Sequence, residues 1–285
     1  NWENAFSLYK KIPEYKLLNS SMTLEQFKTI FWWEYIHRLL GRLIGLFYIV
    51  PLLYFTIKKM IFGKNLIQLY LIFLLIFLQG IIGWYMVVSG LTERTDVSHY
   101  RLSLHLTLAF IIFILLLWNY LTHLKKTNLI NVKKLPFYLP EIFCFLLLLQ
   151  ISIGALVSGL DAGQIYQSWP LMNNSYFPDD SNINNLFSNE VMETPSLVQF
   201  LHRNLAYLLF LFYLVILFIT FKNSKYKHLK KIVSLILIMM CFQIFLGILT
   251  ILSGAQIYLA SMHQIGAIFL VTFSVILAFK NSKIN

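Results

Sequence analysis

The chain has 285 residues, of which 58% are hydrophobic and 12% are charged, and its formal net charge is +11. Soluble domains carry about 25% charged residues, so this composition excludes an ordinary soluble fold. The apolar residues form uninterrupted runs of ~20 residues, which match the hydrocarbon thickness of a bilayer. Because the positive charge lies in short clusters between these runs, membrane topology accounts for it and nucleic-acid binding is not expected.

Seven apolar runs predict seven membrane-spanning helices, at 32–57, 66–89, 102–121, 138–157, 197–221, 232–252 and 260–279. Helices are expected because a lone spanning segment must satisfy its own backbone hydrogen bonds. A β-barrel would need short alternating strands, and the sequence has none of that pattern. The predicted fold class is therefore an all-α polytopic membrane protein.

The charge of the connecting segments alternates along the chain. Lysines concentrate after the first, third, fifth and seventh spans, whereas the long loop 160–196 carries only acidic charges. The positive-inside rule places the lysine-rich loops in the cytoplasm. The predicted organisation is an outer N-terminal segment (1–31), a first helical unit (32–123), a cytoplasmic loop (124–137), a second helical unit with the outer loop 160–196 (138–279) and a cytoplasmic tail (280–285).

Four histidines lie near the predicted outer ends of alternate spans: His37, His105, His202 and His263. Each precedes the next cytoplasmic lysine by 17–21 residues, roughly 25–31 Å of helix, so all four share one depth. Imidazoles that face each other across a helix bundle can hold a haem iron. The alternative is four solvated interfacial histidines, but ionisable groups in a membrane usually mark function, and their equal depth favours iron ligands.

The sequence also contains an internal repeat. His37-Arg38 recurs as His202-Arg203, Gln79 and Gly83 recur as Gln243 and Gly247, and His105 corresponds to His263. Span four, with Gln150 and Gly154, has no partner, which predicts a further helix before Asn1. The expected architecture is then two pseudo-repeated four-helix bundles, with the first helix missing from this chain. The glycines are interpreted as positions of close helix packing.

Several motifs resemble the haem A synthase family, in the same order along essentially the whole chain. They are 34–42 (EYIHRLLGR), 79–91 (QGIIGWYMVVSGL), 97–102 (VSHYRL), 159–163 (GLDAG) with 169–172 (WPLM), and 198–203 (VQFLHR). The outer loops lack the cysteine pair of some members, so the chain is similar to the cysteine-free branch found in proteobacteria and mitochondria.

This resemblance implies oxidation of a ring methyl of haem O to the formyl group of haem A, for cytochrome oxidase. It also implies that His37 and His105 bind haem O and its product haem A, and that His202 and His263 bind a permanent haem b. Expected partners are haem O synthase, the lipid bilayer and an electron donor such as ferredoxin or quinol, and a homo-oligomer is left open. Abundant Lys, Asn and Ile favour a bacterial inner membrane over a mitochondrial one.

Glu34 is the candidate catalytic residue. It precedes His37 by three residues and so shares its helix face, where a carboxylate could stabilise positive charge on the oxidised carbon or relay protons. The alternative is an interfacial ion pair with Arg38 or Lys28. The second repeat has Gln199 at the matching position, which favours different roles for the two histidine pairs.

Four arginines are candidates for binding haem propionates, because a guanidinium can contact a carboxylate through two hydrogen bonds: Arg38, Arg42, Arg101 and Arg203. The alternative is that they extend to the membrane surface without a ligand. The acidic loop 160–196 could cover a haem pocket, meet a partner or be solvated.

Two other functions fit part of the pattern. A di-haem b cytochrome that only passes electrons from a quinol explains the four histidines but not Glu34. A haem or small-molecule transporter would favour polar sites near mid-membrane, whereas these polar residues cluster at one surface. Two imidazoles fill both axial positions of an iron, so either one histidine dissociates during turnover or the oxidant acts without binding iron. The sequence leaves both mechanisms open.

Overall fold

A computed structural model describes residues 1–90, 97–124 and 133–282. Within these ranges the chain is predominantly helical, and seven helices are long and apolar enough to cross a membrane. The prediction of an all-α polytopic membrane protein with seven spans is therefore confirmed. Several loop residues counted in the charge pattern lie outside the described ranges: Arg94, Lys125, Lys126 and Lys283.

In the part of the chain that the structure describes, nine α-helices follow one another. They are α1 (Trp2–Tyr9), α2 (Pro13–Leu17), α3 (Leu24–Ile57), α4 (Gly63–Gly90), α5 (His99–His123), α6 (Leu139–Gly159), α7 (Pro195–Lys222), α8 (Lys230–Leu252) and α9 (Ile257–Ser282). Short 3-10 turns occupy Pro136–Tyr138, Ala162–Gln164, Ile183–Phe187 and Ser224–Leu229.

The first spanning helix begins eight residues before the apolar run that predicted it. Thr23 and Gln26 form a capping box, in which the Thr23 hydroxyl accepts a hydrogen bond from the Gln26 amide at 3.3 Å. The Gln26 side-chain oxygen accepts one in return from the Thr23 amide at 2.9 Å. These bonds satisfy backbone donors that would otherwise be unpaired, so α3 starts at Leu24 within a polar segment.

The chain forms two compact units, residues 1–112 and 113–285, and the division falls within α5. In the first unit, the aromatic rings of Phe6 and Phe27 pack α1 against α3 with centroids 5.2 Å apart. Tyr48 on α3 donates to the Leu69 carbonyl on α4 at 3.0 Å, which joins these two long helices.

The second unit has a continuous apolar core formed by α6, α7, α8 and α9. Its fully buried members include Phe143, Tyr213, Val233 and Leu277. The Tyr213 hydroxyl, on α7, donates to the Val233 carbonyl on α8. Because apolar packing between helices competes with packing against lipid, such interhelical hydrogen bonds help to fix the arrangement of the bundle.

Candidate functional site

The first unit contains the pair His37 and His105. His37 lies on an exposed part of α3, whereas His105 lies within two turns of the start of α5 and is half-buried. The two imidazoles are close enough to interact electrostatically. The structure therefore brings together the two histidines that the family resemblance assigned to one haem.

The second unit contains the corresponding pair, His202 and His263. Each lies within about two turns of the start of its helix, α7 or α9, and each side chain is half-buried. These imidazoles also interact electrostatically with one another. Both units thus present two imidazoles from alternate helices.

Three of these histidines each contact a glutamine on the helix that precedes their own. The Gln79 side-chain amide donates to the backbone carbonyl of His105 at 2.9 Å. Gln150 and Gln243 donate in the same way, to the carbonyls of His202 and His263, both at 3.0 Å. Sequence reasoning used these glutamines only as markers of the duplication, although their constant spacing to the following glycine was a visible signal.

A glycine one turn after each glutamine faces the same histidine ring. A Cβ added at Gly83 would lie 2.8 Å from Cε1 of His105. The corresponding distances are 3.0 Å from Gly154 to His202 and 3.2 Å from Gly247 to His263. Each imidazole therefore lies directly against the backbone of its neighbouring helix, a contact that the predicted role in helix packing did not specify.

The paired imidazoles fit an iron porphyrin better than a bare metal ion. Two imidazole nitrogens from alternate helices are a ligand set that could hold a haem iron. Among residues 1–90, 97–124 and 133–282, no cluster of three or more His, Cys, Asp or Glu side chains could hold a metal ion. Nδ1 of His105 and of His263 is buried without a hydrogen-bond partner, so each ring has a polar atom that the protein alone leaves unsatisfied.

Glu34 forms an ion pair on the surface of α3. Its carboxylate accepts a hydrogen bond from Arg38 Nη2 at 2.6 Å, and 56% of the Glu34 side chain is exposed. The interfacial ion pair considered from the sequence is therefore present, with Arg38 as the partner. Lys28 instead pairs with Glu25, at 2.7 Å, nearer the start of α3.

The candidate arginines occupy three different environments. Arg42 is exposed on α3, near the Arg38 pair. Arg101 donates to the Ser89 hydroxyl and lies over the Tyr85 ring, with its guanidinium carbon 4.7 Å from the ring centroid. Because Ser89 and Tyr85 are on α4, Arg101 joins the end of α4 to the start of α5.

Arg203 is only 7% exposed, and its acceptors are backbone carbonyls rather than carboxylates. Its guanidinium donates to the carbonyls of Ser168 at 2.9 Å, Tyr166 at 3.2 Å and Leu171 at 3.3 Å. The Nε atom of Arg203 is buried without a partner. The structure therefore places this positive charge beneath the segment that follows α6, directly after His202 in the chain.

The segment after α6 is fixed to the start of α7 by further hydrogen bonds. Gln199 donates to the Tyr166 carbonyl at 3.0 Å, and Trp169 Nε1 donates to the Tyr207 hydroxyl at 3.1 Å. Gln167 lies against Gly254, in the turn between α8 and α9, where an added Cβ would lie 3.0 Å from its amide nitrogen. The segment thus contacts α7, which carries His202, and the α8–α9 turn, which precedes His263 on α9.

Comparison with known proteins agrees with this geometry. Residues 1–275 match the COX15-CtaA family model, which is described as a cytochrome oxidase assembly protein. The chain is 47% identical to the heme A synthase of Pelagibacter ubique, across 99% of this chain and 82% of that protein. It is 40% identical to the heme A synthase of Rhizobium rhizogenes and 39% identical to that of Sinorhizobium fredii, in each case across 96% of this chain and 75% of the relative. The chain therefore belongs to the COX15-CtaA family of cytochrome oxidase assembly proteins.

Proposed function

We propose that the protein is a membrane-bound haem A synthase, an oxidoreductase that converts a ring methyl of haem O to the formyl group of haem A for cytochrome oxidase assembly. The observation that carries this proposal is a pair of imidazoles from alternate helices in each compact unit. The relatives at 39–47% identity bear the same name. Haem A synthesis accounts for both pairs and for the acidic residue beside one of them.

The two histidine pairs have different roles in this proposal. His37 and His105 bind haem O, and His202 and His263 bind a permanent haem b. The residues at the matching positions support the difference, because Glu34 is more than half exposed whereas Gln199 is 1% exposed and donates to the Tyr166 carbonyl. Only the first pair has an accessible carboxylate on the preceding helical turn.

The reaction needs both an oxidant and an electron donor. With dioxygen as oxidant, one methyl group, two dioxygen molecules, four electrons and four protons give one formyl group and three water molecules. A ferredoxin or a quinol would donate the electrons. A haem between His202 and His263 would supply reversible one-electron transfer when bound. The protein's own contribution is to bind haem O, orient the methyl group and control the local charge.

Glu34 acts at the reacting carbon in this proposal. Its carboxylate stabilises positive charge that develops on the methyl carbon during oxidation, or it accepts a released proton. The ion pair with Arg38 directs the carboxylate along α3 before substrate binds. Both roles require a free carboxylate oxygen. The hydrogen bond from Arg38 uses one oxygen of Glu34, and the other oxygen would serve either role.

The arginines contribute to binding the haem propionates. Arg38, Arg42 and Arg101 serve haem O in the first unit, and Arg203 serves haem b in the second. The environment of Arg203 supports this assignment, because its buried charge is balanced only by carbonyl dipoles. A buried cation is costly without an anion, and a propionate would provide one.

The protein acts in a membrane, with haem O synthase as the source of its substrate. The seven apolar helices and the bacterial relatives support a multi-pass protein of the bacterial inner membrane. The long lysine-free loop 160–196 contains Tyr166 and the other carbonyl acceptors of Arg203. This loop would then face the outer side of the membrane.

Co-expression with haem O synthase tests the proposed function. The membranes are extracted, and the haems are separated by chromatography and identified by mass. Haem A in the extract supports a synthase. An extract that contains only haem b and haem O would instead favour the electron-transferring di-haem cytochrome.

The role of Glu34 is tested with Glu34→Ala. This variant should lose haem A production while retaining haem b, because His202 and His263 are unchanged. Glu25→Ala is the matched control, since Glu25 also forms an ion pair on α3 with an exposed carboxylate. Normal haem A production by Glu34→Ala would rule out a catalytic role for this residue.

A further inference from the structure

Three glutamine–glycine pairs share two contacts to three histidines, at three separate helix–helix interfaces. These are Gln79 and Gly83 with His105, Gln150 and Gly154 with His202, and Gln243 and Gly247 with His263. Each glutamine bonds the histidine backbone and each glycine meets the histidine ring. Gln150 Nε2 also lies 3.2 Å from Nδ1 and 3.3 Å from Nε2 of His202. The repetition indicates a shared requirement of the histidine rather than a requirement of one interface.

The glutamine fixes the position of the histidine along the helix axis, relative to the neighbouring helix. A side-chain amide donates two hydrogen bonds, and in all three cases one goes to the histidine carbonyl at 2.9–3.0 Å. A helix carbonyl already accepts an intrahelical bond, so this additional donor sets the register of one helix against the next. The side-chain oxygens of Gln79, Gln150 and Gln243 are buried without partners, so the contact to the histidine residue is their main polar interaction.

The glycine fixes the orientation of the ring. In all three cases Cε1 is the ring atom nearest to the added Cβ, and both ring nitrogens are more distant. The imidazole therefore presents its Cε1 edge to the neighbouring helix, with one nitrogen on each side of the contact. A methyl group at Gly83 would force the ring away from the backbone, and at Gly154 or Gly247 the ring would have to move by a few tenths of an ångström.

Other helical glycines of the first unit show that this contact is specific. Gly80 lies one turn before Gly83 on α4, yet nothing lies within 4 Å of a Cβ added there. The same holds for Gly41 and Gly45 on α3. Close packing between helices in general would not place a histidine ring against only one glycine of α4.

We infer that these glutamine–glycine pairs are positioning elements for three haem ligands. They set the position of the His105, His202 and His263 side chains along the helix axis, and the plane of each ring. This inference rests on the proposed binding of haem by the histidine pairs. Residues that orient metal ligands without touching the metal typically change metal affinity by about 10–100-fold when they are replaced. The orientation of an axial imidazole also affects the electronic state of a haem iron, so the contact has a spectroscopic consequence.

The second unit offers the cleanest test, because its haem is expected to remain bound during purification. Full-length Gly247→Ala, Gln243→Leu and the control Gly80→Ala are purified with haem. The electron paramagnetic resonance g-values and the midpoint potential of haem b are then measured for each. We expect both Gly247→Ala and Gln243→Leu to shift the g-values and the potential, whereas Gly80→Ala retains the wild-type signature.

Selective loss of haem b by Gly247→Ala or Gln243→Leu, with helix content and thermal unfolding like those of Gly80→Ala, would also support positioning. If Gly247→Ala does not fold, Gln243→Leu decides the question, because it adds no volume beside the ring. Wild-type g-values and potential in Gln243→Leu, or in a folded Gly247→Ala with full haem content, would overturn the inference. Absence of bis-histidine haem from the wild-type protein would instead contradict the proposed function.

Discussion

Among single residues, Arg203 combines a buried charge with three backbone acceptors, and this predicts that lysine cannot replace it. A lysine ammonium is a compact charge and cannot reach three carbonyls spread over residues 166–171. Hydrogen bonds to charged groups contribute about 1.5–3 kcal/mol each, so losing even one should accelerate local opening of this segment roughly tenfold or more.

Limited proteolysis and amide exchange of residues 160–194 measure this opening in Arg203→Lys. Arg42→Lys is the matched control, because Arg42 is exposed on α3 and belongs to the first compact unit. Equal exchange rates in the two variants would show that the three carbonyl bonds do not hold the segment in place.

Tyr166 supplies a pH-dependent contact to the same segment. The side chain is 3% exposed, and its hydroxyl donates to Asp179. Burial, reinforced by the bond to Asp179, raises the pKa of Tyr166 from 10.0 to about 12. Since ionisation is disfavoured only in the folded state, the contribution of Tyr166 to stability is complete below pH 10 and is lost as the pH rises through about 12.

Ultraviolet titration measures the ionisation of Tyr166 as the difference between wild type and Tyr166→Phe. The tyrosinate signal of the difference should have its midpoint near pH 12. A midpoint near pH 10 would show that the phenol is not buried by the segment in solution.

The residues of the site differ in how far sequence could identify them. Counting along helices predicted an equal depth for the four histidines, and the helix period predicted that Glu34 shares a helix face with His37. The acceptors of Arg203 could not be predicted, because the path of an aperiodic loop leaves no regular pattern. The glutamine–glycine pairs had a regular spacing, but spacing does not show which side chain meets which neighbour.

At the level of helices, hydropathy located all seven spans but not their ends. The helix α3 starts at Leu24 because of the Thr23–Gln26 capping box, a pattern of residue types that is independent of hydropathy. Likewise, α9 begins at Ile257 and continues to Ser282, beyond the apolar run at 260–279. Helix ends are set by local hydrogen bonds, whereas spans are set by transfer into lipid, so the two are predicted by different signals.

Thr23→Ala tests the importance of this cap. Loss of the hydroxyl acceptor should cost about 0.5–2 kcal/mol and should increase amide exchange in the first turn of α3. Thr29→Ala is the control, because the Thr29 hydroxyl bonds the Glu25 carbonyl within the helix at 3.2 Å and is not a cap. Unchanged exchange in Thr23→Ala would show that aromatic packing of α1 against α3, rather than the cap, determines where the helix begins.

Considered as a whole, the molecule carries the same type of histidine pair in each of two compact units. The sequence repeat predicted this duplication, because corresponding residues recur in the same order. The predicted helix before Asn1 and the boundary between units at 124–137 remain predictions. The difference between Glu34 and Gln199 supports the proposed division between a substrate site in the first unit and an electron-transfer site in the second.

This division of labour predicts opposite losses from two histidine variants. His263→Ala should lose haem b and haem A production yet retain haem O, because His37 and His105 are intact in the other unit. His105→Ala should lose haem O binding and haem A production yet retain haem b. Both variants are co-expressed with haem O synthase, and the haems of the purified proteins are extracted and quantified. If either variant lost haem b and haem O together while keeping wild-type helix content, the two pairs would not be independent sites, and the assignment of one haem to each unit would be wrong.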